Sequence, residues 1–414
     1  MDMDRLLKKR WLMVVLSLII MLGGSNCYAW GVFVKPLMEA RGWLQVDVAF
    51  VSNVAFAFYC LGTFFGGILR QRVSARKALL LGTVMQVVGL ATSALATSPM
   101  MMYLTFGVLV GFSIGILYSV ALFGVGNWFP DRKAFAMALC LAVWGGGPTF
   151  MAPLLNMLIH QFGVIRLFYI EAVFFGILFV MCALLFEYAP EGFNPFPEKV
   201  AVDPVDQPNY YLPQAIHTYQ FWAHFVAMAI FGSIYMCFGS LMVVYGEEVG
   251  FSSWMLATAV SVYAIAQVIG RIEAGFFIDR FGWRKARIVH TSLFIISGIM
   301  IVACRSNPMI VYISYFLMGL GYSSCAVENP AFALEMWGPK ASASVFGLCL
   351  LGWAPANLTI PRFGLELLER TNSYTLLMIY AIIFTFIGGV TMLVCKPLNQ
   401  EPISNINRTK TTSV

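Results

Sequence analysis

The stretch Gly275–Lys285, GFFIDRFGWRK, decides how the rest of the chain is read. A tight charged turn closes an apolar run: Gly282 permits the turn, Asp279 can cap or pair near a helix end, and Arg280, Arg284 and Lys285 suit an anionic lipid surface. The stretch has a counterpart. Gly67, Arg72, Arg76 and Lys77 recur 208 residues later as Gly275, Arg280, Arg284 and Lys285, with Gln71 in the place of Asp279 and Ser74 in that of Gly282. Trp128, Pro130, Leu139-Cys140-Leu141 and Trp144 recur 209 residues later as Trp337, Pro339, Leu348-Cys349-Leu350 and Trp353. The chain therefore holds two copies of one unit in one register.

Composition sets the solvent. The 414 residues are 60% hydrophobic and only 11% charged, with a mean hydropathy of +0.79, which excludes an ordinary soluble domain. Runs of about 20 apolar residues recur, each long enough for a hydrocarbon core about 30 Å thick. Their punctuation predicts an all-α membrane protein of twelve transmembrane helices, at 11–34, 46–69, 76–96, 101–127, 133–157, 167–187, 219–245, 254–278, 286–304, 308–334, 341–364 and 373–395. The first is expected to be a retained span, since no small-residue cleavage site follows it. The expected organisation is a six-helix bundle over 1–188, a cytoplasmic Pro-rich linker over 189–218, a second six-helix bundle over 219–396 and a cytoplasmic tail over 397–414.

Charge sets the orientation. Nineteen of the 26 Lys and Arg residues fall on the side of the termini and the linker and six on the other, so both termini are expected in the cytoplasm, in a bacterial inner (plasma) membrane. The net charge of +6 thus reports topology, and no nucleic-acid partner is expected. The nine cysteines are scattered with no CxxC pair and read as small core residues. No nucleotide-binding loop, catalytic triad or metal cluster is present, so neither an enzyme nor a cofactor is expected.

The remaining cation, Arg271, lies inside a span, where insertion costs roughly 2.5–3.5 kcal/mol and a functional role is the default hypothesis. Tyr263, Gln267 and Arg271 share one helix face, whereas Glu273 points about 200° away. Glu328 has a similar depth in its own span and is expected to face Arg271 across a cavity. It is the candidate proton-coupling residue, the alternative being a structural acid beside Asn329-Pro330. Tyr118 and Ser119 belong to the same layer by the repeat register, Ser119 matching Glu328. Tyr28 joins them from the first helix, while Lys35 reads as a snorkelling anchor and His160, His224 and His290 as packing residues. Gly145-Gly146-Gly147-Pro148 and Trp353-Ala354-Pro355 mark helices that bend at a moving interface.

The Gly275–Lys285 turn matches the loop signature of the major facilitator superfamily, whose fold is two parallel six-helix repeats. Within it the chain resembles the oxalate:formate antiporter and monocarboxylate transporter branch. The likeness rests on Tyr28-Ala29-Trp30, Asn127-Trp128-Phe129-Pro130-Asp131-Arg132-Lys133, Thr218 with Gln220-Phe221-Trp222, and Gly270-Arg271. It implies a substrate carboxylate held by Arg271 with help from Tyr118. Two departures matter: Trp353 stands where oxalate carriers have a second-carboxylate lysine, and Gln267 where animal monocarboxylate carriers have an aspartate. The expectation is a carrier of a small monocarboxylate by alternating access, with a proton as coupling ion and the bilayer as its other partner. No protein partner is inferred. The expected substrate residues are Arg271, Tyr118, Gln267, Ser119, Tyr28 and Trp353; Asp279, Arg280, Gly282 and Arg284 form a conformational latch. The alternatives are an organic-anion exchanger, an exporter of amphiphilic compounds, and a non-transporting membrane sensor.

Overall fold

A computed structural model describes residues 3–25, 29–190, 192–197, 210–231, 251–303, 307–371 and 373–398. Tyr28 lies outside the described residues. Helix α1 spans Met3–Gly24 and α2 Gly31–Arg41, so the span expected at 11–34 is divided between two helices. Gly42, at φ 69°, ends α2 and returns its amide to Met38, as a left-handed glycine cap does. Next come α3 (Gln45–Arg72) and α4 (Ala75–Ala94). The fourth span is continuous over Pro99–Trp128, from α5 (Pro99–Met102) through a π-helical segment (Tyr103–Val110) into α6 (Gly111–Trp128). The first half closes with α7 (Lys133–Phe162) and α8 (Val164–Leu185).

A short turn, α9 (Leu212–Ala215), precedes α10, described over 219–231. Then follow α11 (Ser253–Phe281), α12 (Trp283–Ala303), α13 (Pro308–Leu351), α14 (Trp353–Thr371) and α15 (Tyr374–Leu393). The 44-residue α13 joins the tenth and eleventh expected spans through a kink, where Gly338 takes φ 73° and ψ −179° just before Pro339. Among the described residues, nine helices are long and apolar enough to cross a membrane.

The two copies of the charged turn close differently for a local reason. Gly282 sits at φ 84° and ψ 156°, a region that suits glycine, whereas Ser74 is extended at φ −64° and its hydroxyl accepts from the Lys77 amide as an N-cap. The substitution of Gly by Ser thus exchanges a backbone turn for a side-chain cap. The repeat tryptophans also do equivalent work: Trp128 donates its indole N–H to the Glu187 carbonyl at 2.8 Å, and Trp337 donates to Thr218 Oγ1 at 3.4 Å.

Helices α4 and α8 pack together on one flank and α12 and α15 on the other. Each turns an apolar face outward: Val84 and Val88 on α4, Val173, Phe174 and Ile177 on α8, Ile296 and Ile299 on α12, and Ile383 and Phe386 on α15. Such stripes suit lipid and would be a liability in water. The halves meet along two seams, α3 against α13 and α7 against α11. Both are close approaches at glycine. A Cβ on Gly67 would overlap the backbone at Ala343–Ser344, and one on Gly275 would press on Ala138 and Phe135. Gly67 and Gly275 are repeat equivalents, and so are Phe135 and Ser344, 209 residues apart. The sequence repeat is therefore a repeat of contacts between halves.

Candidate functional site

At the end of the seams that carries the basic loops, the halves are bonded to each other. The Asp279 carboxylate accepts from the Ala134 amide at 2.9 Å and the Phe135 amide at 2.8 Å. Those amides belong to the first turn of α7, where N–H groups have no intrahelical acceptor and the helix dipole favours an anion. On the second seam Gln71, the equivalent of Asp279, donates to Ser344 Oγ at 3.2 Å, and Arg70 donates to the Pro339 carbonyl at 3.2 Å. Of the other latch residues, Arg284 donates to the Cys395 carbonyl and Arg280 lies 5.3 Å from the centre of the Phe281 ring. Asp279 and Gln71 therefore bridge the halves, whereas these arginine contacts stay within the second half.

Deeper along the α7–α11 seam lies Arg271, its side chain buried against the other half. A Cβ on Gly145 would overlap Nη1, Cζ and Nη2 of the guanidinium, so the first glycine of the Gly145–Gly147 run is a seat for Arg271. Gln267, one turn back on α11, accepts from Arg271 Nη2 at 3.3 Å. Tyr118 of α6 hydrogen-bonds Tyr59 and lies within electrostatic reach of Arg271. Aromatic rings continue from it: Tyr59 packs on Tyr118 at 5.3 Å and on Trp144 at 5.4 Å, and Tyr118 meets Trp144 edge-on at 4.8 Å. Trp353, at the start of α14, packs edge-on against Phe56 at 4.9 Å and keeps a buried indole N–H without a hydrogen-bond partner. Helices from both halves thus bring one cation, a phenol and an aromatic wall to one level.

Two members of the expected layer lie elsewhere. Ser119 packs on Gly66 of α3 inside the first half, its hydroxyl buried and unpartnered, because it sits about 100° around α6 from Tyr118. Glu328 has both carboxylate oxygens engaged within the second half: Oε2 pairs with Arg287 Nε at 2.8 Å and Oε1 with His290 Nδ1 at 2.8 Å. The expected facing pair of Arg271 and Glu328 is therefore corrected, since α12 supplies the partners of Glu328. Glu273 binds the other ring nitrogen of His290 at 2.8 Å. Arg287, one of the nineteen basic residues counted on the side of the termini, is fully buried, with further bonds to Asn329 Oδ1 at 2.9 Å and Cys325 Sγ at 3.1 Å. His290, expected as a packing residue, is likewise buried between two carboxylates. One signal could have found them: Arg287 and His290 are three apart on one face of an apolar helix. Glu171, buried on α8, also escaped the sequence reading.

Comparison with known proteins fits this architecture. The family model described as Major Facilitator Superfamily matches residues 13–361 and, again, 256–412. The oxalate:formate antiporter of Oxalobacter formigenes is 25% identical over 368 residues, covering 83% of this chain and 84% of that protein. Monocarboxylate transporter 12 of Rattus norvegicus is 26% identical over 374 residues, covering 82% and 76%. Among solved structures, the transporter FucP in its outward conformation superposes with a TM-score of 0.70 at 11% identity, covering 92% of this chain and 97% of its own, which bears on the fold alone. With two six-helix halves joined by repeat-related seams and a family match over most of its length, the chain belongs to the Major Facilitator Superfamily and is an integral membrane transporter, not an enzyme.

Proposed function

We propose that the protein carries a small organic anion, most specifically a monocarboxylate, by alternating access. The observation that carries this reading is Arg271, a buried guanidinium seated on Gly145 of the opposite half and within electrostatic reach of Tyr118. A planar fork of N–H donors matches a carboxylate, and a tyrosine hydroxyl adds a neutral donor. The unpartnered Trp353 indole N–H offers a further donor, and the rings of Phe56, Tyr59 and Trp144 offer an apolar surface for the rest of the substrate. The names of the antiporter and monocarboxylate relatives agree with this choice. Arg271, with Trp353 where oxalate carriers have a lysine, favours one carboxylate over two. Gln267 orients Arg271 in this scheme, Asp279 and Gly282 shape the latch, and Glu328 remains the coupling acid.

In the same reading the basic side, with both termini and the linker at 189–218, faces the cytoplasm of a bacterial cell. Closure of the latch there leaves the opposite side as the entry route. Saturable uptake of radiolabelled lactate or pyruvate into proteoliposomes tests the proposal. Arg271→Lys keeps the charge but removes the fork, and unchanged saturable uptake by that variant would rule the site out.

A further inference from the structure

We propose that Glu273, His290 and Glu328 form a proton relay that loads the second half of the carrier. The proposal rests on the anion-carrier reading and identifies its coupling ion and the path that ion takes. Its basis is a bonding pattern. Both ring nitrogens of His290 face carboxylate oxygens at 2.8 Å, Nε2 towards Glu273 Oε2 and Nδ1 towards Glu328 Oε1. Two such contacts need two hydrogens, and a neutral imidazole carries one. The chain of three therefore holds an additional proton, either on the ring or on a carboxyl group.

Charge arithmetic says the same. Arg287 neutralises one carboxylate by its contact with Glu328. Glu328 and His290 are buried to 0% and 1% side-chain exposure, so charge at that end of the chain needs a partner. Retaining the proton makes the group neutral. Releasing it leaves one negative charge, so occupancy by a proton changes the energy of the packing among α11, α12 and α13.

A gradient of exposure gives the relay a direction. The Glu273 side chain is 43% exposed, at an open groove of about 530 Å³ whose lining is apolar (Ile269, Ile272, Phe276, Phe277 and Phe281) apart from Glu273 itself and Arg280. A proton arriving on Glu273 Oε2 passes to His290 Nε2 as the Nδ1 proton passes to Glu328 Oε1. Glu273 ends ionised, Glu328 protonated and the imidazole in its other tautomer, with no atom left over. Other groups around the relay are accounted for. Cys325 and Asn329 of α13 bond Arg287, Met392 of α15 touches it, and Phe231 of α10 lies under it, with His224 of α10 in electrostatic reach. Helix α11 ties the relay to the rest of the machine. It carries Arg271 two residues before Glu273 and Asp279 six residues after it.

The test uses purified, full-length protein in proteoliposomes, with radiolabelled lactate, pyruvate and oxalate as probes. Counterflow on equal internal and external substrate needs no net proton, whereas accumulation on an imposed pH gradient does. Glu273→Gln, at the exposed end, and His290→Gln should lower gradient-driven accumulation by at least about tenfold while counterflow stays within about twofold of wild type, the split expected when only proton transfer is removed. Glu273→Asp should recover part of the accumulation. Wild-type accumulation by Glu273→Gln and His290→Gln, or counterflow in wild type with no response to the gradient, overturns the relay and leaves the carrier reading standing. Neither counterflow nor accumulation in wild type overturns that reading, and the relay with it.

Discussion

Arg271 and Gly145 come from different halves of the molecule, and the guanidinium occupies the space that any side chain at position 145 would fill. Gly145→Val should therefore dislodge Arg271 while leaving a bilayer-compatible helix. The loss of one charge-assisted contact, about 1.5–3 kcal/mol, corresponds to roughly a ten- to hundredfold loss of affinity. Substrate titration of uptake rates by wild type and variant measures it.

Asp279 is an N-cap delivered across an interface, since its two amide donors belong to α7. Removing such a cap costs about 0.5–2 kcal/mol, and Asp279→Ala should shift the population towards opening at the basic side by up to roughly thirtyfold. Alkylation of a reporter cysteine introduced at Ala138, which lies against Gly275, should speed up correspondingly.

Gly67 and Gly347 allow α3 and α13 to touch backbone to backbone, Gly67 at Ser344 and Gly347 at Phe64. Either residue changed to Leu should force the seam apart. In wild type, Gln71→Cys and Ser344→Cys should be joined efficiently by a short bifunctional thiol reagent, because the native side chains are in hydrogen-bond contact. Adding Gly67→Leu should abolish that product.

Arg287 and Glu328 form a buried pair, and breaking one member of such a pair costs about 3–5 kcal/mol because the other is left uncompensated. Glu328→Met alone should markedly lower the thermal unfolding midpoint of the purified protein. Arg287→Met combined with Glu328→Met should recover a large part of it. Additive losses would show that the two residues do not act as a pair.

The sequence was most legible where the physics is local or periodic. Spans follow from apolar runs, and the turn at Gly282 follows from a glycine-specific backbone angle. The 208-residue repeat was legible as a pattern, and the structure gives it a meaning, because Gly67 and Gly275 make equivalent contacts. The π-helical segment at Tyr103–Val110 and the run of α13 through Gly338 were not anticipated, since hydropathy does not distinguish them from an ordinary helix or a loop. Depth along a helix put Arg271 and Glu328 at one level and the repeat register added Tyr118 and Ser119, but neither gives rotation about the helix axis. Ser119 and Glu328 share that level and turn to other neighbours. The Glu273–His290–Glu328 chain is made by three helices, with partners 17 and 38 residues apart, so the Arg287–His290 spacing marks one face of α12 but not the carboxylates that meet it.

Carboxylate binding at Arg271 is tested most directly by ligand-induced stabilisation, because a ligand that binds the folded state raises its unfolding midpoint. Purified wild type and Arg271→Lys would be heated with mono- and dicarboxylates and with cationic amphiphiles. One or more monocarboxylates should stabilise wild type, and that stabilisation should be lost in Arg271→Lys. Equal stabilisation of both proteins by those acids, or stabilisation by the cations alone, would contradict carboxylate binding at Arg271.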